Sequence, residues 1–369
     1  MKIEKIEAVA IKIPLTKIFS GSTYRVDSRC TVVTRIHAGG LVSEVYNGDD
    51  RSHGAELVHL IENVLGPAII GQDVFAWERV WETLRTKAIE RLTNHHLAMA
   101  AIACIDTAVW DLFGKALNVS CHKLFGGYHA DLPIMAIGGY YIEGRSLESF
   151  GEEMAWLRDE AGMAGCKFKV GGLTPEEDAK RVAAARKGAG PDFVIAVDAN
   201  RGWNAADATR FARLIEPLNI AWFEEPCHWY DDARGMAHVR ARTTIPINAG
   251  QSEISPEGVR RLLDANAVDI VNFDASEGGG PTAWRRAAAA CALVGVKLAH
   301  HEEAQIAAHM LGGVPGGTFL ECFADPERDP LWREIYNRPP IRNGRSQIPT
   351  GLGFGIALNW DLVNRYRLN

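Results

Sequence analysis

A chain of 369 residues, 47% hydrophobic and 23% charged, has room for a barrel of about 250 residues with a smaller domain beside it, and its composition excludes a disordered or fibrous protein. Its 40 basic and 46 acidic residues leave a net charge of −6. That balance gives no footing for nucleic acid or an anionic membrane surface, so the expected partner is a small molecule.

Seven cysteines (Cys30, Cys104, Cys121, Cys166, Cys227, Cys291 and Cys322) are odd in number, scattered and without Cys-x-x-Cys spacing. Neither a disulfide framework nor a zinc site follows from them, and a reducing cytoplasm fits. The opening Met1-Lys2-Ile3-Glu4-Lys5-Ile6 lacks the apolar core of a signal peptide, and no uncharged run reaches the ~20 residues of a membrane helix.

Apolar residues alternate from Ile3 to Ile13 and return over Arg29 to His37 and Leu41 to Tyr46, around His37-Ala38-Gly39-Gly40. That predicts a strand and then a hairpin with a glycine turn. Between them, Lys17 to Val26 has the chemistry of a loop able to cover a site. Helical periodicity follows over Ala55–Leu65, Val74–Lys87 and His95–Leu117, the last apolar on most faces as a buried helix should be. An α+β domain therefore precedes something different.

From Pro133 onward short apolar strands alternate with helices, the pattern of βα units around a parallel sheet. The expected strands are Pro133–Tyr141, Cys166–Val170, Phe193–Val197, Ile220–Phe223, Ile245–Asn248, Asp269–Phe273, Val296–Ala299 and Thr318–Leu320. Eight strands predict a closed barrel. Thr174-Pro175-Glu176-Glu177 reads as a capping box with proline at the first helical position, and Ser255-Pro256-Glu257 repeats the idea. The domains expected are residues 1–127 as a cap, completed by 323–369, and 128–322 as the barrel.

Barrel chemistry gathers at the C-terminal ends of the strands, and the polar residues there are unusual. The second strand carries Lys167 and Lys169, whose spacing puts both ammonium groups on one face. Their repulsion is expected to lower one pKa and to make a base near neutral pH. Next come Asp198 with Asn200, Glu224-Glu225, Gln251 and Glu253, Asp274, His300-His301 and Glu321. A single carboxylate at such a place is open to a helix-capping role. Converging on one mouth, oxygens of Asp198, Glu224 and either Gln251 or Glu253 form a hard, oxygen-only set suited to Mg²⁺ and not to zinc.

With Asp106-Thr107-Ala108-Val109-Trp110-Asp111-Leu112-Phe113-Gly114-Lys115, Leu124-Phe125-Gly126-Gly127 and Gly278-Gly279, these residues stand in an order that resembles the enolase superfamily, specifically its mandelate racemase subgroup. The resemblance implies an α/β fold, a modified TIM barrel (β/α)₇β under an α+β N-terminal cap. It also implies one Mg²⁺ and removal of a proton from the carbon beside a carboxylate. Asp198 and Glu224 become metal ligands, Lys169 a base on one face of the substrate, and Lys167 the contact to its carboxylate. Asp274 and His301 become the dyad on the other face, and Glu321 the partner of the enediolate oxygen. The subgroup's third ligand is usually a glutamate after glycine; Gln251 holds that position here, with Glu253 as the alternative.

Two proton-transfer faces permit dehydration of a sugar acid, an aldonate or an aldarate of the galactarate/talarate type, to a 2-keto-3-deoxy acid. They also permit racemisation or epimerisation of a 2-hydroxy acid. A barrel that only binds an acid sugar is the non-enzymatic alternative. Cycloisomerases are disfavoured by the absence of a lysine at the Asp274 position. Asn200, Tyr24, Tyr46 and His228 are the polar residues expected to bind a polyhydroxylated substrate, in a cytoplasmic homo-oligomer.

Overall fold

The alternation that opens the chain builds one long hairpin. In the computed structural model, which describes residues 1–47, 52–91, 94–331, 335–336 and 338–368, β1 (Ile3–Ser20) pairs antiparallel with β2 (Arg25–Ala38). Two short strands, β3 (Leu41–Val42) and β4 (Val45–Asn47), also pair with β2. The loop expected over Lys17–Val26 is thus mostly strand. The ladder slips between Pro14 and Phe19, then resumes because Phe19 and Val26 pack with Tyr140 and Phe323 of the barrel. Only the tip around Gly21–Tyr24 is turn, and it reaches the barrel: the Ser22 hydroxyl donates to the Ala199 carbonyl at 2.7 Å.

The cap's helices follow as Gly54–His59 with a π-helical extension Leu60–Leu65, then Trp77–Arg91 and His95–Leu117. By length and composition the last could cross a membrane, but most of it is buried inside the fold. Asp106 on this helix accepts from both the Thr282 N–H and the Thr282 hydroxyl at 2.8 Å, and Trp110 Nε1 donates to the same hydroxyl at 2.9 Å. These bonds tie the cap to the barrel helix Gly280–Val294. Glycine is required where they meet, because Gly280 has φ +89° and a Cβ there would lie 2.5 Å from Asp106 Oδ2.

Eight parallel strands form the barrel: β5 (Asp131–Gly138), β6 (Gly165–Lys169), β7 (Val194–Asp198), β8 (Ile220–Glu224), β9 (Ile247–Ala249), β10 (Ile270–Val271), β11 (Lys297–Leu298) and β12 (Leu320–Cys322). One helix follows each of the first seven. β12 pairs with β5, and a parallel bridge from Leu298 to Gly317 closes the ring. The Thr174 capping box forms as expected. Ser255 makes no side-chain cap bond, so its proline alone marks that helix start.

After the barrel, a hairpin of β13 (Ile341–Arg342) and β14 (Arg345–Gln347) pairs with β5. The chain then returns to the cap, where Leu368 N–H donates to Ala10 O at 2.9 Å.

Candidate active site

Alternation along β6 sorts its side chains. Phe168 turns outward onto Phe150 of the helix Glu148–Asp159, at 5.4 Å between ring centroids. Lys167 and Lys169 turn inward and are buried. Lys167 Nζ donates to Glu224 Oε1 at 2.7 Å and to Glu321 Oε2 at 2.8 Å, and lies 3.8 Å from Asp198 Oδ2. Lys169 Nζ donates to Asp198 Oδ2 at 2.6 Å and to Asn200 Oδ1 at 3.0 Å. Asn200, in the left-handed region with φ 43°, folds back so that its backbone N–H also reaches Asp198 Oδ1 at 2.8 Å.

The expected low lysine pKa is corrected by these contacts. Burial works against both charged ammonium groups, but Glu224, Glu321 and Asp198 around Lys167, and Asp198 beside Lys169, outweigh burial and raise both pKa values. The two lysines are separated by carboxylates, so attraction wins over their mutual repulsion.

Asp198, Glu224 and Asn248 stand in register on adjacent strands β7, β8 and β9. Glu224 Oε2 accepts from Trp222 Nε1 at 3.2 Å and from Asn248 Nδ2 at 3.0 Å. Burial first, with Asp198 and Glu321 nearby, pushes Glu224 up to about 8 despite Lys167. Asn248 Oδ1 and Glu321 Oε1 are buried acceptors with no hydrogen-bond partner. Among the described residues no three His, Cys, Asp or Glu side chains gather as a metal cluster.

Of Gln251 and Glu253, Gln251 lines the cavity and Glu253 does not. The turn at Gly250, φ +138°, ends the β9 alternation, and Glu253 leaves for the outer layer to pair with Arg261 at 2.8 Å. Gln251 lines the mouth. Its Nε2 donates to Glu225 Oε2 at 3.0 Å, which fixes the amide so that its oxygen meets only a long 3.4 Å contact from Asn272 Nδ2.

On the other side, His301 Nδ1 bonds Asp274 Oδ2 at 2.9 Å, while the Ser276 N–H and hydroxyl hold Asp274 Oδ1, each at 2.7 Å. Burial disfavours the charged ring, but the Asp274 bond and the charge of Glu302 prevail and carry His301 up to about 10. His300 is its quiet neighbour, accepting from Ala275 N–H at 3.0 Å and lowered by burial. Asp274→Asn should bring the His301 pKa back toward its ordinary 6.5, read from the ring nitrogen shifts in an NMR titration. An unmoved titration would separate the two residues.

Tyr24, Lys169, Asn200, Gln251, Ser252, Asp274, Ser276, Glu277 and His301, with Glu302 and Glu303, surround one cavity of about 190 Å³. Lys167, Asp198, Glu224 and Glu321 are buried in contact with Lys169 or one another. Two expected binders are not there. Tyr46, paired with Val33 in the cap sheet, packs its ring toward Tyr336. His228 is exposed past the turn that follows β8. Trp222, Asn248, Asn272 and Ser276 were not anticipated, although Asn248 and Asn272, polar within otherwise apolar strand sequences, carried a readable signal.

Two family models match the chain: "Mandelate racemase / muconate lactonizing enzyme, N-terminal domain" over residues 6–126, and "Enolase C-terminal domain-like" over 149–362. The chain belongs to the mandelate racemase subgroup of the enolase superfamily. A crystal structure of a mandelate racemase/muconate lactonizing enzyme from a marine actinobacterium, in complex with magnesium, superimposes with TM-score 0.92 at 42% identity, covering 100% of this chain and 99% of that one. Arabinonate dehydratase of Saccharolobus solfataricus is 32% identical over 83% of this chain and 82% of its own length. D-galactarolactone cycloisomerase of Agrobacterium fabrum is 30% identical over 81% and 82%. Superfamily relatives thus include dehydratases, cycloisomerases, a racemase and an epimerase. Cycloisomerases, disfavoured on sequence, are thus among the chain's relatives.

Proposed function

We propose that the protein is a Mg²⁺-dependent dehydratase of a sugar acid. The observation that carries this reading is that Lys169 and His301, each held by its own buried carboxylate, line one cavity beside an oxygen-rich floor. The floor fits a hard cation: two carboxylates, Asp198 and Glu224, adjoin the partnerless Asn248 Oδ1, and the Gln251 amide oxygen faces the same mouth. Asp198, Glu224 and Gln251 would hold the ion. An ion held there would supply positive charge for the substrate carboxylate and would offset the Asp198 charge that keeps Lys169 protonated, which favours the neutral amine that a base requires.

The chain's own groups do the rest. Lys167 Nζ supplies a buried positive charge for the substrate carboxylate, and Glu321, in its protonated form, would donate from Oε1 to the enediolate oxygen. Lys169 takes the α-proton on its face of the substrate. His301, an imidazolium at neutral pH, gives its Nε2 proton to the β-hydroxyl, which leaves as water, and the resulting enol becomes a 2-keto-3-deoxy acid.

The test is incubation with Mg²⁺ and a panel of sugar acids, with semicarbazide to detect keto acid and D₂O to detect α-exchange. Keto acid is the expected product. Exchange without keto acid would make the protein an epimerase or racemase, and saturable binding with neither would leave a binding barrel.

A further inference from the structure

We propose that Glu302, braced by Arg29 of the cap, is a positioning residue for His301: a second carboxylate that faces the Nε2 side of the ring and lets the cap complete an acid that stands on the barrel. The proposal rests on the dehydratase reading of the same cavity for the direction in which that proton moves.

His301 lies between two acids that serve it differently. Asp274 Oδ2 bonds Nδ1 at 2.9 Å and fixes the ring. Glu302 Oε1 stands 3.7 Å from Nε2, a range at which charge acts but a hydrogen bond does not form. It therefore favours the imidazolium without tying up the proton that the leaving hydroxyl needs. Glu302 reaches this place through a left-handed backbone, φ 45°, which a non-glycine residue keeps only where its surroundings impose it. Its own N–H, donating to Glu321 Oε2 at 3.2 Å, is one such restraint.

Arg29 is another. It stands on β2 opposite Ile13 in the cap ladder, and its side chain crosses to the barrel, where Nη2 donates to Glu302 Oε2 at 2.8 Å. The guanidinium is buried, with Asp329 at 3.7 Å from Nε and the Phe323 ring at 4.8 Å. Burial works against the charge of Glu302, but Arg29 and then His301 hold its carboxyl well below the usual carboxylate range. The two oxygens thus divide the work: Oε2 takes the cap's cation and Oε1 faces the ring. His301 also feels Lys167 from β6, Glu277 from the turn after β10 and His300 beside it, and Glu302 feels Lys169. Those four groups all belong to the barrel, whereas Arg29 comes from the cap.

The experiment follows the His301 ring by NMR titration in the full chain, beside kcat and KM as functions of pH for the sugar acid that it turns over. The parent ring titrates at about 10. Glu302→Gln should lower that value by about one unit or more, the effect of a neighbouring charge at this range, and should move the basic limb of kcat down with it while KM changes less. Glu302→Asp, which keeps the charge, should recover part of the shift. Arg29→Gln should lower kcat, Arg29→Lys should restore it in part, and Arg29→Gln should add nothing in the Glu302→Gln background, because Arg29 acts through Glu302. An unmoved titration in Glu302→Gln would overturn the proposal, as would additive effects of the two substitutions. Should Arg29→Gln fail to fold, the two Glu302 variants still decide it. Because the titration needs no substrate, a parent that turned over no sugar acid would fail the dehydratase reading alone.

Discussion

Replacing His301 with asparagine should lower kcat for elimination by about 10²–10⁴-fold, the range that a positioned general acid contributes, with substrate Kd changed far less. The expectation rests on the ring's charge. Held by Asp274 at 2.9 Å and titrating at about 10, His301 carries a proton throughout the neutral range and can deliver it to a leaving hydroxyl. An asparagine amide fills similar space but has no proton to give. The variant also separates the two faces: α-hydrogen exchange in D₂O should survive while keto-acid formation disappears, because Lys169 lies on the other wall and keeps its contacts to Asp198 and Asn200. Undiminished elimination would remove His301 from the mechanism.

The second large effect is on stability. Lys167→Met keeps the side chain's length and removes the charge that lies among Glu224, Glu321 and Asp198. Breaking a buried ion pair from one side costs about 3–5 kcal/mol, since the stranded charges find no water. The carboxylates respond by taking up protons, which makes the loss depend on pH. Glu224 already stands at about 8, against an ordinary 4.5, through burial above all. A carboxyl whose folded pKa is raised binds its proton more tightly folded than unfolded, so its contribution is favourable below 4.5 and is lost as pH climbs through the folded value. Without Lys167 that value rises further. The melting temperature of the variant, measured by circular dichroism in chelator, should therefore fall more steeply than the parent's between pH 5 and 8. A melting temperature at pH 8 within about 2 °C of the parent's would contradict the account, being less than a change of about 1 kcal/mol produces.

How much of this could be read in the sequence depended on the range of the interaction. Strand alternation and helical periodicity act over a few residues, and the eight barrel strands lie close to where Lys167, Asp198, Glu224 and their neighbours predicted them. The long hairpin was less legible, because Phe19 and Val26 become strand by packing on Tyr140 and Phe323, more than 100 residues away in the chain. The same holds for lysine acidity. Two lysines at spacing two show their repulsion locally, but the carboxylates that reverse it come from other strands. Arg29 meets Glu302 across 273 residues, a pairing no local pattern contains. Glu253 misled for the opposite reason: the two-residue rule was extended past Gly250, where the strand had already ended.

The pleat of β6 has a consequence for assembly of the fold itself. Sliding that strand by one residue would push two ammonium groups into the greasy layer under the helices and hand Cys166 and Phe168 to the acids of the mouth. A one-residue slip would thus be penalised on both faces at once, so the two lysines that turn inward also pin the register of β6.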